Sequence, residues 1–285
     1  LSSLYKNLSL ENLVLISLII KFFTIILMIF FFISKGLIKK NKKKFLLNNL
    51  RKNSKWLTSN SILDQFYYLL DKYLIKIFLG PVALATYSIP QQIMWKLSVI
   101  SKGFSNFLLP LLSKKNSTND DFNTSLNIFL KIFPIIIFAI FPFYALLLKL
   151  WLADQFNQEI LYLTKIFSLS VLFSCGSHIL VTKFEASKIL KQNIKFESYL
   201  LPFFLITLLF LIIYSYSLAL IALVILTKEL ILLILRLNFL KKEINNVNKY
   251  YYYLIIFLIM LFFSIYNQII FIFLEVIMII NILLN

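Results

Sequence analysis

Long apolar stretches alternate with short polar connections along almost the whole chain. A helix needs roughly 20 predominantly apolar residues to cross a bilayer core about 30 Å thick. The chain contains nine such stretches, and no stretch shows the apolar–polar alternation of a membrane β-barrel strand. The pattern predicts an all-α, polytopic membrane helix bundle with spans at about 12–34, 57–79, 86–112, 126–151, 160–182, 197–214, 217–237, 250–266 and 268–284.

The basic residues predict how this bundle is oriented. Cytoplasmic loops of membrane proteins carry the excess of Lys and Arg. Nine Lys and Arg residues fall within 35–56, and further clusters follow the third, fifth and seventh spans. The intervening connections 80–85, 152–159, 214–217 and 266–268 contain neither Lys nor Arg. This alternation places the N-terminus outside and the C-terminus in the cytoplasm.

The same pattern predicts three parts of the chain. Residues 1–56 form one transmembrane helix and a basic cytoplasmic loop, 57–237 a six-helix lobe, and 238–285 two additional transmembrane helices. An odd number of spans, an external N-terminus without a signal peptide and a first residue Leu1 are unusual together. We therefore expect the chain to be the C-terminal part of a longer protein.

Composition excludes several classes of function. The chain is 60% hydrophobic and 14% charged, against about 25% charged in typical soluble domains. Four glycines leave no room for a Gly-rich phosphate loop or dinucleotide fingerprint. One Cys and one His argue against a disulfide framework and a zinc site, so we expect no metal and no cofactor. A net charge of +17 would suggest nucleic acid in a soluble chain, but the lysines cluster between long apolar runs and no nucleic-acid-binding motif is present, so we expect no nucleic-acid partner.

The span at 57–79 carries ionisable residues that lipid would not accommodate. Asp64 and Asp71 are seven residues apart, hence on one helix face, with Tyr68 between them. An ionisable group at bilayer depth costs at least about 2.5 kcal/mol, so it faces a partner or a watery cavity. Lys72 and Lys76 stand one turn apart towards the outer end. We favour a cavity-lining face over the alternative that Asp71 forms a structural bridge to a neighbouring lysine.

The span at 86–112 has a continuous polar stripe. Inside a membrane bundle, such a stripe lines a cavity or a polar helix interface. The Gly80-Pro81 turn predicts that this helix lies antiparallel to and beside the preceding one, so that the two form a cavity wall with carboxylates and ammonium groups. The stripe comprises Tyr87, Gln91, Trp95, Ser98, Lys102, Ser105 and Asn106.

Two other pairs of polar residues have simpler interpretations. Cys175 and His178 have the i, i+3 spacing of two metal ligands, but a packed thiol and a hydrogen-bonded imidazole fit better because no further His or Cys exists. Lys228 and Glu229 are adjacent and point about 100° apart round a helix, so we expect Glu229 to have another partner.

The residues from 63 to 114 resemble a known family. An Asp-Lys pair (71–72) precedes Leu79-Gly80-Pro81, then Tyr87-Ser88-Ile89-Pro90, then Leu109-Pro110-Leu111-Leu112-Ser113. This order is similar to the seventh and eighth helices of the Wzx-type polysaccharide flippases of the MOP superfamily. Those proteins have two six-helix lobes joined by a basic cytoplasmic loop, and the first two helices of each lobe line a central cavity. The resemblance implies that most of an N-terminal lobe precedes this chain.

The resemblance implies a flippase of the bacterial inner membrane rather than an enzyme. Its substrate would be an undecaprenyl-diphosphate-linked oligosaccharide, carried across by alternating access. Lys72, Lys76 and Lys102 would contact the diphosphate, since opposite charge is strong where the dielectric is low. Asp64 and Asp71 would bind a coupling proton or Na⁺. The sugar contacts would come from Tyr68, Tyr87, Gln91, Trp95 and Ser98.

Two rival functions remain open on sequence. A cation-coupled multidrug exporter of the same superfamily would need an acidic or apolar cavity, whereas the two helices offer at least as many lysines as carboxylates. A polysaccharide polymerase or ligase would carry a long external catalytic loop, whereas the predicted outside connections are short. A purely structural subunit, with the stripes as helix–helix seams, is a third alternative.

Overall fold

The computed structural model describes residues 10–34, 44–114 and 119–244, and these are almost entirely helical, with no strand among them. Short 3₁₀ turns, Phe141–Phe143 and Ala153–Gln155, flank the fifth helix. The predicted spans at 250–266 and 268–284 lie outside the described residues. The helices are α1 (Leu10–Ser34), α2 (Lys44–Phe78), α3 (Gly80–Leu112), α4 (Asn119–Ile140), α5 (Tyr144–Leu152), α6 (Gln158–Ala186), α7 (Leu190–Tyr214) and α8 (Leu218–Phe239).

The helical architecture confirms the predicted all-α membrane bundle. Among the described residues, four stretches are long and apolar enough to cross a membrane: Asn119–Gln155, Gln158–Ala186, Leu190–Tyr214 and Leu218–Phe239. The apolar stretch in α1, Leu18–Met28, is shorter. Helices α2 and α3 are the polar ones, as their sequences predict. Helix α2 begins at Lys44, so part of the predicted 35–56 loop is helical.

The chain divides into two compact units, Leu1–Arg51 and Lys52–Asn285. In the first unit, α1 exposes large apolar side chains such as Ile19 and Phe22, which is the surface that a lipid-facing helix presents. The second unit is organised around α6, which is buried over 89% of its most apolar window. A helix that is buried all round belongs at the centre of a bundle.

Small and hydroxyl-bearing residues allow α6 to occupy this centre. Helices α3 and α8 pack closely against it, and α7 packs mainly against α8. Gly176 and neighbouring serines permit the close approach that membrane helices use in place of a hydrophobic driving force. The hydroxyls of Thr164 and Ser170 donate to the carbonyls of Ile160 and Ile166 within the helix, at 2.7 and 3.3 Å, so they need no outside partner.

Helix α2 departs from the predicted side-by-side arrangement. It turns into α3 through Leu79 and Gly80, but it makes few close backbone approaches to the other described helices. Gly80 has φ +87°, a left-handed conformation that glycine adopts without a steric cost, and Pro81 follows in the first turn of α3. The two polar helices therefore meet near this turn, and their remaining lengths leave room for a cavity.

The turn gives a test with an internal control. A Cβ built on Gly80 or on Gly103 meets no atom within 4 Å, so the two positions differ in backbone conformation and not in space. We expect Gly80→Ala to lower the free energy of unfolding by about 1–2 kcal/mol through left-handed strain. Gly103→Ala, inside α3, should raise it by up to about 1 kcal/mol. Thermal unfolding in detergent measures both, and equal shifts would contradict the assigned turn.

Candidate functional site

A cavity of about 770 Å³ lies among α2, α3, α6, α7 and α8. Seven of the ten predicted site residues line it: Asp64, Tyr68, Asp71, Gln91, Trp95, Ser98 and Lys102. Asp64 and Lys102 are also exposed, so the cavity opens to the surface of the described structure. Its lining residues begin near Asp71 and Gln91 and continue to Asn106 and Arg236, which lie towards the lysine-rich end of the helices.

Asp71 is the buried junction between the two polar helices. Its carboxylate, which has no exposed surface, accepts three hydrogen bonds. Tyr87 Oη and Gln91 Nε2 on α3 donate to Oδ2 at 2.7 and 2.8 Å, and the backbone N–H of Lys72 donates to Oδ1 at 2.8 Å. Three hydrogen bonds from protein donors offset the free energy that the carboxylate loses when it is removed from water. Asp71 thus joins α2 to α3 by side chains.

The three remaining predicted residues do not line the cavity. Tyr87 is fully buried, and its hydroxyl donates a hydrogen bond to Asp71. The Lys72 ammonium lies 3.2 Å from the centroid of the Tyr68 ring, a cation–π contact on the flank of the helix. Lys76 is exposed. Residues adjacent in a helix point about 100° apart, so Lys72 cannot share the face of Asp71.

A second polar network, centred on Arg236 of α8, joins three helices. Arg236 Nε donates to Asn193 Oδ1 at 2.7 Å, Nη2 pairs with Glu197 Oε1 at 2.5 Å, and Nη1 donates to the Ser177 hydroxyl. Arg236 is 5% exposed and Glu197 2% exposed. A planar guanidinium suits this role because its five donors are fixed in direction.

This Arg236 network extends to α2. Asn193 Nδ2 donates to Asn60 Oδ1 at 2.7 Å, and Asn60 Nδ2 donates to Asp64 Oδ2 at 3.2 Å. The Tyr67 hydroxyl donates to the backbone carbonyl of Glu197 at 2.6 Å. Helix α2 therefore reaches α7 through side-chain hydrogen bonds on one side of the cavity, and it reaches α3 through Asp71 on the other.

The interpretation of Lys228 and Glu229 needs correction. Lys228 Nζ pairs with Glu229 Oε1 at 2.7 Å, because the flexible lysine side chain bends round the helix to its neighbour. His178 Nε2 has no hydrogen-bond partner among the described residues. Cys175 is buried, and no group of three or more potential metal ligands occurs in the described ranges.

The charges around the cavity also differ from the expectation that lysines would at least match carboxylates. Five carboxylates line it, against three lysines and one arginine, because Glu185, Glu197 and Glu229 join the two aspartates. Two of these carboxylates are neutralised by the pairs Glu197–Arg236 and Glu229–Lys228. The lining is therefore polar and nearly balanced in charge rather than cationic.

Sequence reasoning missed Asn193 and Glu197 and assigned Arg236 to a cytoplasmic cluster. A signal did exist, because Arg236 falls inside the apolar span predicted at 217–237, where an arginine requires a partner. Asn193 and Glu197 have the i, i+4 spacing that places them on one face of a helix. Which helix that face meets cannot be inferred from hydropathy alone.

The Arg236–Glu197 pair gives a stability test. Arg236→Met leaves the Glu197 carboxylate buried without its cation, and removal of one partner from a buried pair costs about 3–5 kcal/mol. We expect a large fall in melting temperature for Arg236→Met and a partial recovery in the double variant Arg236→Met/Glu197→Met. Lys241→Met, at an exposed position, is the control and should change little. A double variant no more stable than Arg236→Met would contradict the pairing.

Comparison with known proteins identifies the family of the chain. No curated protein and no solved structure gives a significant match. The sequence profile of a family described as Polysaccharide biosynthesis protein matches residues 4–150, just over half of the chain. The matched region includes α2 and α3, which bear the two aspartates and the polar stripe. The chain therefore belongs to the polysaccharide biosynthesis protein family.

Proposed function

We propose that this protein is a flippase that moves an undecaprenyl-diphosphate-linked oligosaccharide across the bacterial inner membrane by alternating access. The observation that carries the proposal is a polar, open cavity of about 770 Å³ inside an apolar helix bundle, in a chain of the polysaccharide biosynthesis family. Polar atoms line a membrane cavity where a hydrophilic ligand replaces the water that lipid excludes. A glycan attached to a lipid is such a ligand.

The cationic contact for the diphosphate falls to Lys102. Of the three lysines that the resemblance suggested, Lys72 and Lys76 lie outside the lining and Lys102 lies within it. Lys102 is exposed and lines the cavity, and Lys96, another lining residue, lies six residues before it on the same helix. An ammonium group here lowers the cost of bringing a diphosphate out of bulk water.

The two aspartates suit different roles. All three donors to Asp71 come from the protein itself, which suits a residue that holds α2 against α3. Asp64 is exposed to the cavity and is joined to the Arg236 network through Asn60. In the proposal, Asp64 exchanges the coupling proton or Na⁺, and Asp71 keeps the two cavity helices together during the movement.

The rival functions receive less support from the described structure. A multidrug exporter for organic cations needs an unpaired negative or apolar lining. Here Glu197 and Glu229 are paired, Asp71 is held by three protein donors, and the remaining Asp64 and Glu185 share the cavity with Lys96 and Lys102. A polymerase or ligase needs an external loop for catalysis, and the described connections on the predicted outer side are short, at Leu79, Ala153–Asn157 and Ser215–Ser217. The proposal accordingly includes no step in which a covalent bond is made or broken. It also includes a preceding N-terminal lobe as the partner half of the transporter.

Lys102 and Lys76 form a matched pair for a transport test. We expect Lys102→Ala to lower the amount of surface glycan about tenfold, the effect of losing roughly 1.4 kcal/mol of favourable interaction. Lys102→Arg should retain most of it, because the charge remains. The measurement is surface glycan in cells that produce each variant of the protein at equal membrane levels.

Lys76→Ala removes the same charge from an exposed position outside the cavity and should leave surface glycan near the wild-type amount. Equal losses from Lys102→Ala and Lys76→Ala would contradict the assigned diphosphate contact. Unchanged glycan in Lys102→Ala would contradict it as well.

A further inference from the structure

Unpartnered polar atoms are concentrated around the cavity. Within the described ranges, all but one of the buried side-chain polar atoms without a hydrogen-bond partner belong to residues that line it. A buried polar group without a partner costs roughly 1–3 kcal/mol, so folded proteins keep few of them. The atoms are Gln91 Oε1, Trp95 Nε1, Ser105 Oγ, His178 Nε2 and Glu197 Oε2.

Neighbouring groups fix the direction of two of these atoms. Gln91 is 2% exposed, and its amide nitrogen donates to Asp71, so the carbonyl oxygen is left without a donor. Glu197 is equally buried, and Arg236 and Asn193 both donate to its Oε1, so Oε2 is the unpartnered oxygen. Neither side chain can rotate to give its unpartnered oxygen a hydrogen bond without breaking these contacts.

The chemical types of the five atoms fit hydroxyl groups. Gln91 Oε1 and Glu197 Oε2 accept hydrogen bonds, Trp95 Nε1 donates, and the Ser105 hydroxyl does either. The His178 nitrogen donates or accepts according to its tautomer. Each hydroxyl of a sugar is both a donor and an acceptor, and can therefore match any of these atoms.

An aromatic surface adjoins these atoms. The rings of Tyr68 and Trp95 meet edge to face, with centroids 6.4 Å apart, and both residues line the cavity. Aromatic rings of this kind offer a large apolar face next to a polar group. A sugar ring, with C–H groups on its faces and hydroxyls round its edge, is complementary to both features.

Charge distinguishes between neutral and acidic sugars. Glu197 lines the cavity with a buried carboxylate whose Oε2 has no hydrogen-bond partner, and the neighbouring Arg236 is already bonded to three protein side chains. A carboxylate on the ligand has no proton to donate and would meet a like charge there. We infer that these five atoms and the Tyr68–Trp95 pair form a recognition site for a neutral, hydroxyl-rich saccharide, an inference that rests on the proposed glycan transport.

The inference predicts an unusual combination in two variants. Trp95→Phe and Ser105→Ala each remove an unpartnered polar atom and break no hydrogen bond within the protein. We expect the melting temperature of the unliganded protein to stay the same or rise, while the affinity for saccharide falls about threefold to tenfold for each variant. Trp151→Phe is the control, since Trp151 is 64% exposed and outside the cavity, and its affinity should be unchanged.

The probes are maltotetraose, a neutral tetrasaccharide, and tetragalacturonic acid, an acidic one of the same length, titrated calorimetrically into the purified full chain in detergent. We expect maltotetraose to bind at least about tenfold more tightly. Equal or tighter binding of tetragalacturonic acid would overturn the inference, as would no binding of either probe. Unchanged maltotetraose affinity in Trp95→Phe and Ser105→Ala would also overturn it.

Translocation of lipid-linked glycan in vesicles, measured separately, distinguishes a failure of this inference from a failure of the transport proposal. Translocation by a protein that does not discriminate between the two probes overturns the recognition site alone. Binding of maltotetraose through Trp95 and Ser105, with no translocation by the full transporter, overturns the transport proposal alone.

Discussion

The cost of removing polar groups from water determines where this chain can place them. Within a bilayer, each such group must be paired inside the protein or must face water. The apolar helices α4, α7 and α8 expose large hydrophobic side chains, as a lipid-facing surface requires. Asp71, Glu229 and Arg236 are instead buried and paired inside the protein, and Asp64, Lys96 and Lys102 line one cavity. The cavity therefore follows from the sequence of these helices and does not arise from loose packing.

The polar residues fall into two groups with different physical roles. Asp71 and Arg236 are each surrounded by partners that satisfy them, and they attach α2 to α3 and α6 to α7 and α8. Gln91, Trp95 and Glu197 keep an atom unsatisfied, which costs stability in the unliganded protein. A protein retains such atoms where a ligand compensates them. Gln91 and Glu197 belong to both groups, because each bonds Asp71 or Arg236 through one atom and leaves its other polar atom unpartnered.

Hydropathy and helical periodicity predicted much of this architecture. Each predicted span between 12 and 237 overlaps an observed helix, and the stripe from Gln91 to Lys102 does line a cavity, because both features depend on spacing within one helix. The contacts of Arg236 with Asn193 and Glu197 could not be predicted, since they depend on how separate helices pack. Lys72 lies outside the lining because its side chain points about 100° away from that of Asp71 round the helix. Lys228 was misjudged because a long side chain can reach a neighbour that backbone geometry places at an angle.

The proposed function requires α2 to present one face to a water-filled cavity and another to lipid at the same depth. Tyr68 lines the cavity, whereas its neighbour Leu69 is 56% exposed and outside the lining. Replacing the single native cysteine by Cys175→Ser gives a background in which Tyr68→Cys and Leu69→Cys are compared in membranes. A membrane-impermeant thiol reagent should label the cysteine at position 68 and leave the one at position 69 unmodified. Equal labelling at both positions, or labelling at position 69 alone, would contradict an internal aqueous cavity.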